Sequence, residues 1–231
     1  MMQLECQAII FDLDGVLVDS IPGVLRIWRE WARIHGLNHP DLDTLAITAR
    51  TEEAVKQLVP HLDVFAEVQY LEEQEATAIE GLRPISGAAF LLKSLPPESW
   101  SVFTSVRRET ALAKLRAANL PEPRILISGD QVQHGKPAPH GYLLAAEQIG
   151  VDPRECLVVE DTPVGIEAAA AGGIPVIALA TTHSLEKLIG AQVILSDLNA
   201  IQVTVCSSTA LSKPDDYKRL SRIILDLHPI L

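Results

Sequence analysis

Asp12 and Asp14 stand two residues apart at the end of a short apolar run, in Ile9-Ile10-Phe11-Asp12-Leu13-Asp14-Gly15-Val16. If the run is a strand, the two carboxylates face one crevice and Leu13 faces away. Gly15 allows the tight turn that follows. Carboxylates this close repel and raise one pKa. A divalent cation relieves the repulsion, and oxygen-only donors favour magnesium. Taken alone, such a pair reads equally well as a solvated turn. It is joined by Thr104-Ser105 after a second apolar run, by Lys136 in Gly135-Lys136-Pro137-Ala138-Pro139, and by Glu160-Asp161 after a third run. Singly, Lys136 would be a solvated loop lysine, and Glu160-Asp161 the N-terminal cap of a helix beginning near Pro163. Together these residue types suit phosphoryl transfer, where catalysis is mostly positioning and charge stabilisation. One carboxylate can attack phosphorus. A second can protonate the leaving oxygen and then activate water. A hydroxyl and an ammonium can hold phosphate oxygens, and Asp161 can complete a magnesium shell.

Such residues need elements that bring them to one place. Short apolar runs without polar alternation cover residues 8–11, 100–103, 125–127, 156–159, 174–179 and 193–195, the pattern of parallel strands buried on both faces. Between them lie helical repeats: Ala111, Leu112, Leu115 and Ala118, then Tyr142, Leu143, Ala146 and Ile149, with Gly150 and Gly172 where helices end. Alternation of this kind predicts an α/β fold, a doubly wound parallel sheet of Rossmann-like type covered on both faces. Ligands of such sheets bind at the carboxyl ends of strands, which is where the polar residues fall. From about Pro22 to Leu82 the alternation stops. Val24, Ile27, Trp28, Trp31 and Ala32 share one helical face ended by Gly36, and 53–58 and 64–79 read as two more helices. The expected organisation is a core domain over 1–20 and 83–206, an inserted all-helical cap domain over 21–82, and a C-terminal tail over 207–231. In that tail 207–216 is polar and 217–227 reads as a short amphipathic helix.

Composition narrows the partners. The 231 residues include 19 Lys+Arg and 30 Asp+Glu, a formal charge of −11, which argues against a nucleic-acid partner. Cys6, Cys156 and Cys206 are scattered and odd in number, with neither a disulfide framework nor zinc spacing. No apolar run reaches the ~18 residues of a membrane span, and the start MMQLECQAIIFD has no basic run like that of a secretory leader. The expectation is a cytoplasmic protein without a membrane partner, acting on a small phosphorylated metabolite as a monomer or weak dimer.

The segment Phe11-Asp12-Leu13-Asp14-Gly15-Val16-Leu17-Val18-Asp19-Ser20 resembles the first motif of the haloacid dehalogenase superfamily of phosphatases. Val102-Phe103-Thr104-Ser105, Gly135-Lys136-Pro137 and Val159-Glu160-Asp161-Thr162-Pro163-Val164-Gly165-Ile166-Glu167-Ala168-Ala169 resemble its later motifs, in order. The helical insert is similar to the cap of the branch with β-phosphoglucomutase, phosphoglycolate phosphatase and sugar phosphatases. Trp100 to Ser105, Gly135 to Tyr142 and Leu179-Ala180-Thr181-Thr182 look most like its sugar and glycerol-3-phosphate phosphatases. The resemblance implies a magnesium-dependent phosphatase of sugar or polyol phosphates working through an aspartyl-phosphate. Asp12 would be nucleophile and metal ligand, and Asp14 general acid and base, binding metal through its backbone carbonyl. Thr104, Ser105 and Lys136 would bind the phosphoryl group, and Asp161 the metal with Glu160 beside it. Arg50 in Thr48-Ala49-Arg50-Thr51 would contact the leaving portion of the substrate, unless it is a solvated arginine at a helix start. The chain departs from the pattern at Val106, where a glycine is common, with Arg107 and Arg108 following and able to narrow or charge the pocket. A mutase of the β-phosphoglucomutase type is the alternative, weakened because Pro22-Gly23-Val24 holds no histidine. A phosphorylation-controlled binding module is a remote one, since receiver domains have neither a cap nor the second carboxyl.

Overall fold

In the computed structural model, which describes residues 2–79, 81–206 and 221–230, the apolar runs become strands at the centre of the molecule. The chain opens with β1 (Met2–Cys6) and β2 (Ala8–Phe11), turns through β3 (Val18–Asp19) and enters the helices α1 (Ile21–Ile34), α2 (Leu42–Thr48), α3 (Thr51–Leu58) and α4 (Val64–Thr77). It returns at β4 (Arg83–Pro84), antiparallel to β3. Strands and helices then alternate: α5 (Ala88–Ser94), β5 (Trp100–Phe103), α6 (Arg108–Ala117), β6 (Leu126–Ile127), α7 (His140–Ile149), β7 (Cys156–Glu160), α8 (Pro163–Ala171), β8 (Val176–Leu179) and β9 (Val193–Leu195). Last come β10 (Ile201–Cys206) and β11 (Arg222–Leu227).

The main sheet runs β6-β5-β2-β7-β8-β9, and every neighbouring pair is parallel. Each residue of β2, β5, β7 and β8 is buried, because helices cover both faces. Phe11, Val102, Leu91 and Leu115 pack on one face, and Ile10, Phe103, Tyr142 and Ile166 on the other. Each such side chain withdraws about 1.5–3 kcal/mol worth of apolar surface from water. The chain leaves β2 toward β5 and β6 on one side and later crosses to β7 on the other. The crevice where that order reverses, at the strand ends, is the position open sheets use for ligands.

The inserted helices have a core of their own. Val24, Trp28, Trp31 and Ala32 of α1 meet Ala54, Val55 and Leu58 of α3 and Val68 and Leu71 of α4, and the two tryptophans stack edge to face at 5.5 Å. Gly36, at φ +63, takes the left-handed turn that ends α1. Asp63 caps α4 by accepting from the Phe65 and Ala66 amides. Helix α2 was not expected. It has seven residues, none fully buried, so its sequence shows too little of an apolar stripe to be recognised.

The C-terminal expectation is corrected. Residues 222–227 are not helical; they form β11, which lies between β1 and β10 and is antiparallel to both. Ile223, Leu225 and Leu227 point inward and are fully buried, alternating with Arg222, Ile224 and Asp226. The period is therefore two rather than 3.6, and the segment packs into the main core instead of trailing from it. Strand β1 was likewise unforeseen, because its partner, β11, lies at the far end of the sequence. The polar stretch 207–216 and the first residues of the expected helix lie outside the described residues. Among the described residues, no helix is long and apolar enough to cross a membrane.

Candidate active site

Strands β5, β2 and β7 are neighbours, so their carboxyl ends bring Thr104, Asp12 and Glu160-Asp161 together. Lys136 reaches them from the loop before α7. All five side chains are buried. The Lys136 ammonium donates to Asp12 Oδ1 at 2.7 Å and to Glu160 Oε1 at 2.5 Å. It also lies 5.2 Å from the Phe103 ring centre and 5.4 Å from that of Tyr142. Glu160 is saturated: Oε1 also accepts from the Tyr142 hydroxyl, and Oε2 accepts from the Asp161 and Thr162 amides and the Thr162 hydroxyl. A Cβ on Gly165 would lie 1.6 Å from Glu160 Oε1, so α8 can approach that carboxylate only as glycine. Gly15 is required twice over. Its φ is +82, and a Cβ there would lie 2.1 Å from Asp161 Oδ2.

Charge in this cluster is unbalanced. Asp12, Glu160 and Asp161 each offer an oxygen, all within 4.8 Å of one another, and among the described residues Lys136 is the cation placed among them. Burial pushes the Asp12 carboxyl up to about 7, although Lys136 pulls it down. Burial, with the charges of Glu160 and Asp12, pushes Asp161 well above the usual carboxylate range. Burial acts against Glu160 too, but Lys136 and the donors around it outweigh this and hold it below its usual value. Lys136 is likewise desolvated, yet Asp12 and Glu160 keep its pKa raised. Asp161 Oδ2 accepts from Thr182 at 2.5 Å, while the buried Oδ1 has no hydrogen-bond partner among the described residues. A buried carboxylate oxygen without a partner, beside two further buried carboxylates, fits a hard divalent cation.

Asp14 stands at the mouth of the cluster. Its Oδ1 accepts from the Ser20 hydroxyl and, at 2.7 Å, from the Lys114 ammonium. Lys114 is buried in α6, with Glu75 of α4 3.8 Å away, and Glu75 Oε1 accepts from the Trp28 indole at 3.0 Å. Burial lowers the Lys114 pKa, but Asp14 and Glu75 reverse that and leave it raised. Burial raises Glu75, against the pull of Lys114 and the Trp28 donor. Neither residue was singled out from sequence. The signal was there: Lys114 lies on the stripe of Ala111, Leu115 and Ala118, and Glu75 on that of Val68 and Leu71, so each puts a charge where a core residue belongs.

A cavity joins the two groups. Asp12 and Lys136, with Thr104 and Ser105, line it on one side and Asp14, Lys114 and Glu75 on the other, and Val106 and residues 46–49 of the insert complete its wall. Arg50 is not among the lining residues. Its guanidinium pairs with Glu53 and donates to the Val132 carbonyl at 3.2 Å, tying the insert to the loop before Lys136. Of the three residues expected to alter the pocket, Val106 lines it; Arg107 pairs with Glu72 at 2.7 Å and Arg108 donates to the Leu126 carbonyl at 3.0 Å.

Comparison with known proteins agrees with this geometry. Residues 6–173 match the model of the haloacid dehalogenase-like hydrolase family. Hexitol phosphatase A of Escherichia coli strain K12 is 36% identical over 206 residues, covering 87% of this chain and 95% of that protein. Glycerol-1-phosphate phosphohydrolase 2 of Saccharomyces cerevisiae is 30% identical over 223 residues, covering 87% of this chain and 86% of the relative. The crystal structure of β-phosphoglucomutase from Clostridium difficile superposes with a TM-score of 0.73 at 19% identity, over 84% of this chain and 92% of that one, and so shares the fold. The chain belongs to the haloacid dehalogenase-like hydrolase family.

Proposed function

We propose that the protein is a magnesium-dependent phosphatase that hydrolyses small sugar or polyol phosphate monoesters through a phosphorylated Asp12. One observation carries the reading: Asp12, Lys136 and Asp161 are gathered, buried, at the ends of adjacent strands, with Asp12 and Lys136 lining a cavity and the unpartnered Asp161 Oδ1 in the carboxylate cluster beside Asp12. Similarity to phosphatases of hexitol and glycerol phosphates supports the substrate class.

In this reading Thr104, Ser105 and Lys136 hold the phosphoryl oxygens, and Glu160 and Tyr142 keep the ammonium in place. An Asp12 oxygen attacks phosphorus and the bond to the ester oxygen breaks. The leaving oxygen takes a proton from Asp14. Water then gives a proton to Asp14 and attacks phosphorus, the bond to Asp12 breaks, and phosphate is released. Asp12, Asp161 and the Asp14 carbonyl would hold the magnesium, with Glu160 beside them. When bound it neutralises charge on the carboxylates and on the phosphoryl oxygens. The helical segment 21–82 acts as the cap that covers the leaving group and excludes water, over a core of 1–20, 83–206 and the strand 222–227. A reducing, cytoplasmic setting suits Cys6 and Cys156, buried free thiols that burial pushes up to about 12. The direct test is phosphate release from a panel of sugar and polyol monophosphates, with and without magnesium. Release that depends on magnesium and is lost in Asp12→Asn supports the reading; full release in excess chelator refutes it.

A further inference from the structure

We infer that Glu75 and Lys114 read the leaving group, accepting neutral hydroxylated ones and rejecting those that carry a second anion. The inference rests on the phosphatase reading above. The cavity wall includes the apolar Ile21, Val24, Ala46 and Ile47, and beside Asp14 its charged groups are Lys114 and Glu75. Glu75 is fixed from behind by the Trp28 indole on Oε1. Among the described residues, Oε2 has no hydrogen bond; its nearest cation is Lys114, at 3.8 Å. The Lys114 ammonium carries three donors, of which one goes to Asp14. A hydroxyl is both donor and acceptor. One placed here finds an acceptor in Glu75 and a donor in Lys114, already held in position.

The same pair excludes anions. At this end two carboxylates, Asp14 and Glu75, share one ammonium. The neighbouring cations are committed elsewhere: Lys136 to Asp12 and Glu160, Arg50 to Glu53, and Arg107 to Glu72. A carboxylate or second phosphate on the substrate would lose its hydration and meet net negative charge, with no free cation lining the cavity among the described residues. Arg50, the residue expected to contact the leaving portion, is therefore replaced in that role by a pair that straddles insert and core. A bisphosphate, which a mutase cycle would require, meets the same rejection.

Two esters isolate the effect. Sorbitol 6-phosphate and 6-phosphogluconate share six carbons and the phosphate, and differ at the far end, hydroxymethyl against carboxylate. The wild-type protein should favour the first by at least about tenfold in kcat/KM. Glu75→Gln, which keeps an oxygen for Trp28 and removes the charge, should bring the ratio to within about threefold. Thr48→Lys, which adds a cation on the insert side of the cavity, should lower the ratio as well, and serves if the Gln variant unfolds below the wild-type melting temperature. Equal wild-type rates on the two esters, or a ratio that neither variant moves, overturns the inference. 4-Nitrophenyl phosphate is assayed in parallel. If wild type hydrolyses it but does not separate the two sugar esters, the inference alone fails; if wild type hydrolyses no ester, the phosphatase reading falls and the inference with it.

Discussion

The two ends of the cavity are built differently. At the phosphoryl end the lysine and the glutamate are held on many sides: Lys136 has two carboxylate partners and two aromatic rings, and Glu160 accepts five hydrogen bonds. These groups sit on strand ends or beside them, where backbone position is set by the sheet. At the leaving-group end the charges come from the turn after β2 and from two separate helices, and Glu75 and Lys114 are 3.8 Å apart, short of a hydrogen bond. One end is braced by the sheet and by the bonds of Lys136 and Glu160, so it can be rigid and indifferent to which ester arrives. The other retains hydrogen-bonding capacity, so it can discriminate. Rate should therefore depend on the first end and substrate choice on the second.

The strongest way to break that contrast is at Asp12. Asp12→Asn should cut turnover by at least about 10⁴-fold on every ester. It should also reveal the cost of burying the charge. Asp12 titrates at about 7 in the fold, above its unfolded value of about 3.9. The folded state therefore holds this proton more tightly than the unfolded state, and the stability so gained is present in acid and lost as pH rises through about 7. In chelator, Asp12→Asn should melt above wild type at neutral and alkaline pH, with the gap closing in acid. Magnesium should stabilise wild type more than the variant. Melting curves across pH, with and without magnesium, check both.

Asp14→Asn should lower turnover by about 10²–10⁴-fold, and more for alkyl than for aryl esters, because a good leaving group needs no proton. Pre-steady-state release of nitrophenol against glycerol separates the two. A loss independent of leaving group would place Asp14 on the rigid side of the comparison. Lys136→Met should cost about 10²–10³-fold in kcat. It strands Asp12 and Glu160 without their counter-ion, so about 3–5 kcal/mol of stability should go as well, read by denaturant unfolding. The smallest effect belongs to Arg50→Ala. With its guanidinium on Glu53 and the Val132 carbonyl instead of in the cavity, it should change kcat/KM by less than about threefold and alter the sorbitol phosphate to phosphogluconate ratio not at all. A tenfold specific loss on polyol esters would return Arg50 to the leaving group and sharpen the roles assigned to Glu75 and Lys114.

Legibility follows the same division. Asp12, Thr104 and Asp161 could be found in the sequence because each follows a strand marked by a continuous apolar run, and local signals report strand ends; Lys136 stands out instead by its Gly-Lys-Pro loop before a helical repeat. Glu75 and Lys114 were passed over because they occupy core positions on amphipathic helices, where a charge reads as an interruption until its partner is known. The strand at 222–227 was misread because Arg222-Ile-Ile-Leu-Asp-Leu satisfies helical and alternating patterns alike over so short a span. Its pairing with β1 and β10 settled the matter.

By itself, then, the sequence determined the parallel α/β core, the helical insert and the polar residues that gather at the strand ends, since hydrophobic period and the residue types after apolar runs are local properties. Tertiary structure alone decided three things: the antiparallel β1-β11-β10 sheet, the withdrawal of Arg50 from the cavity, and the meeting of Glu75 with Lys114 across insert and core. Each depends on contacts between segments far apart in the chain, whose energy comes from burial and pairing that no local pattern records.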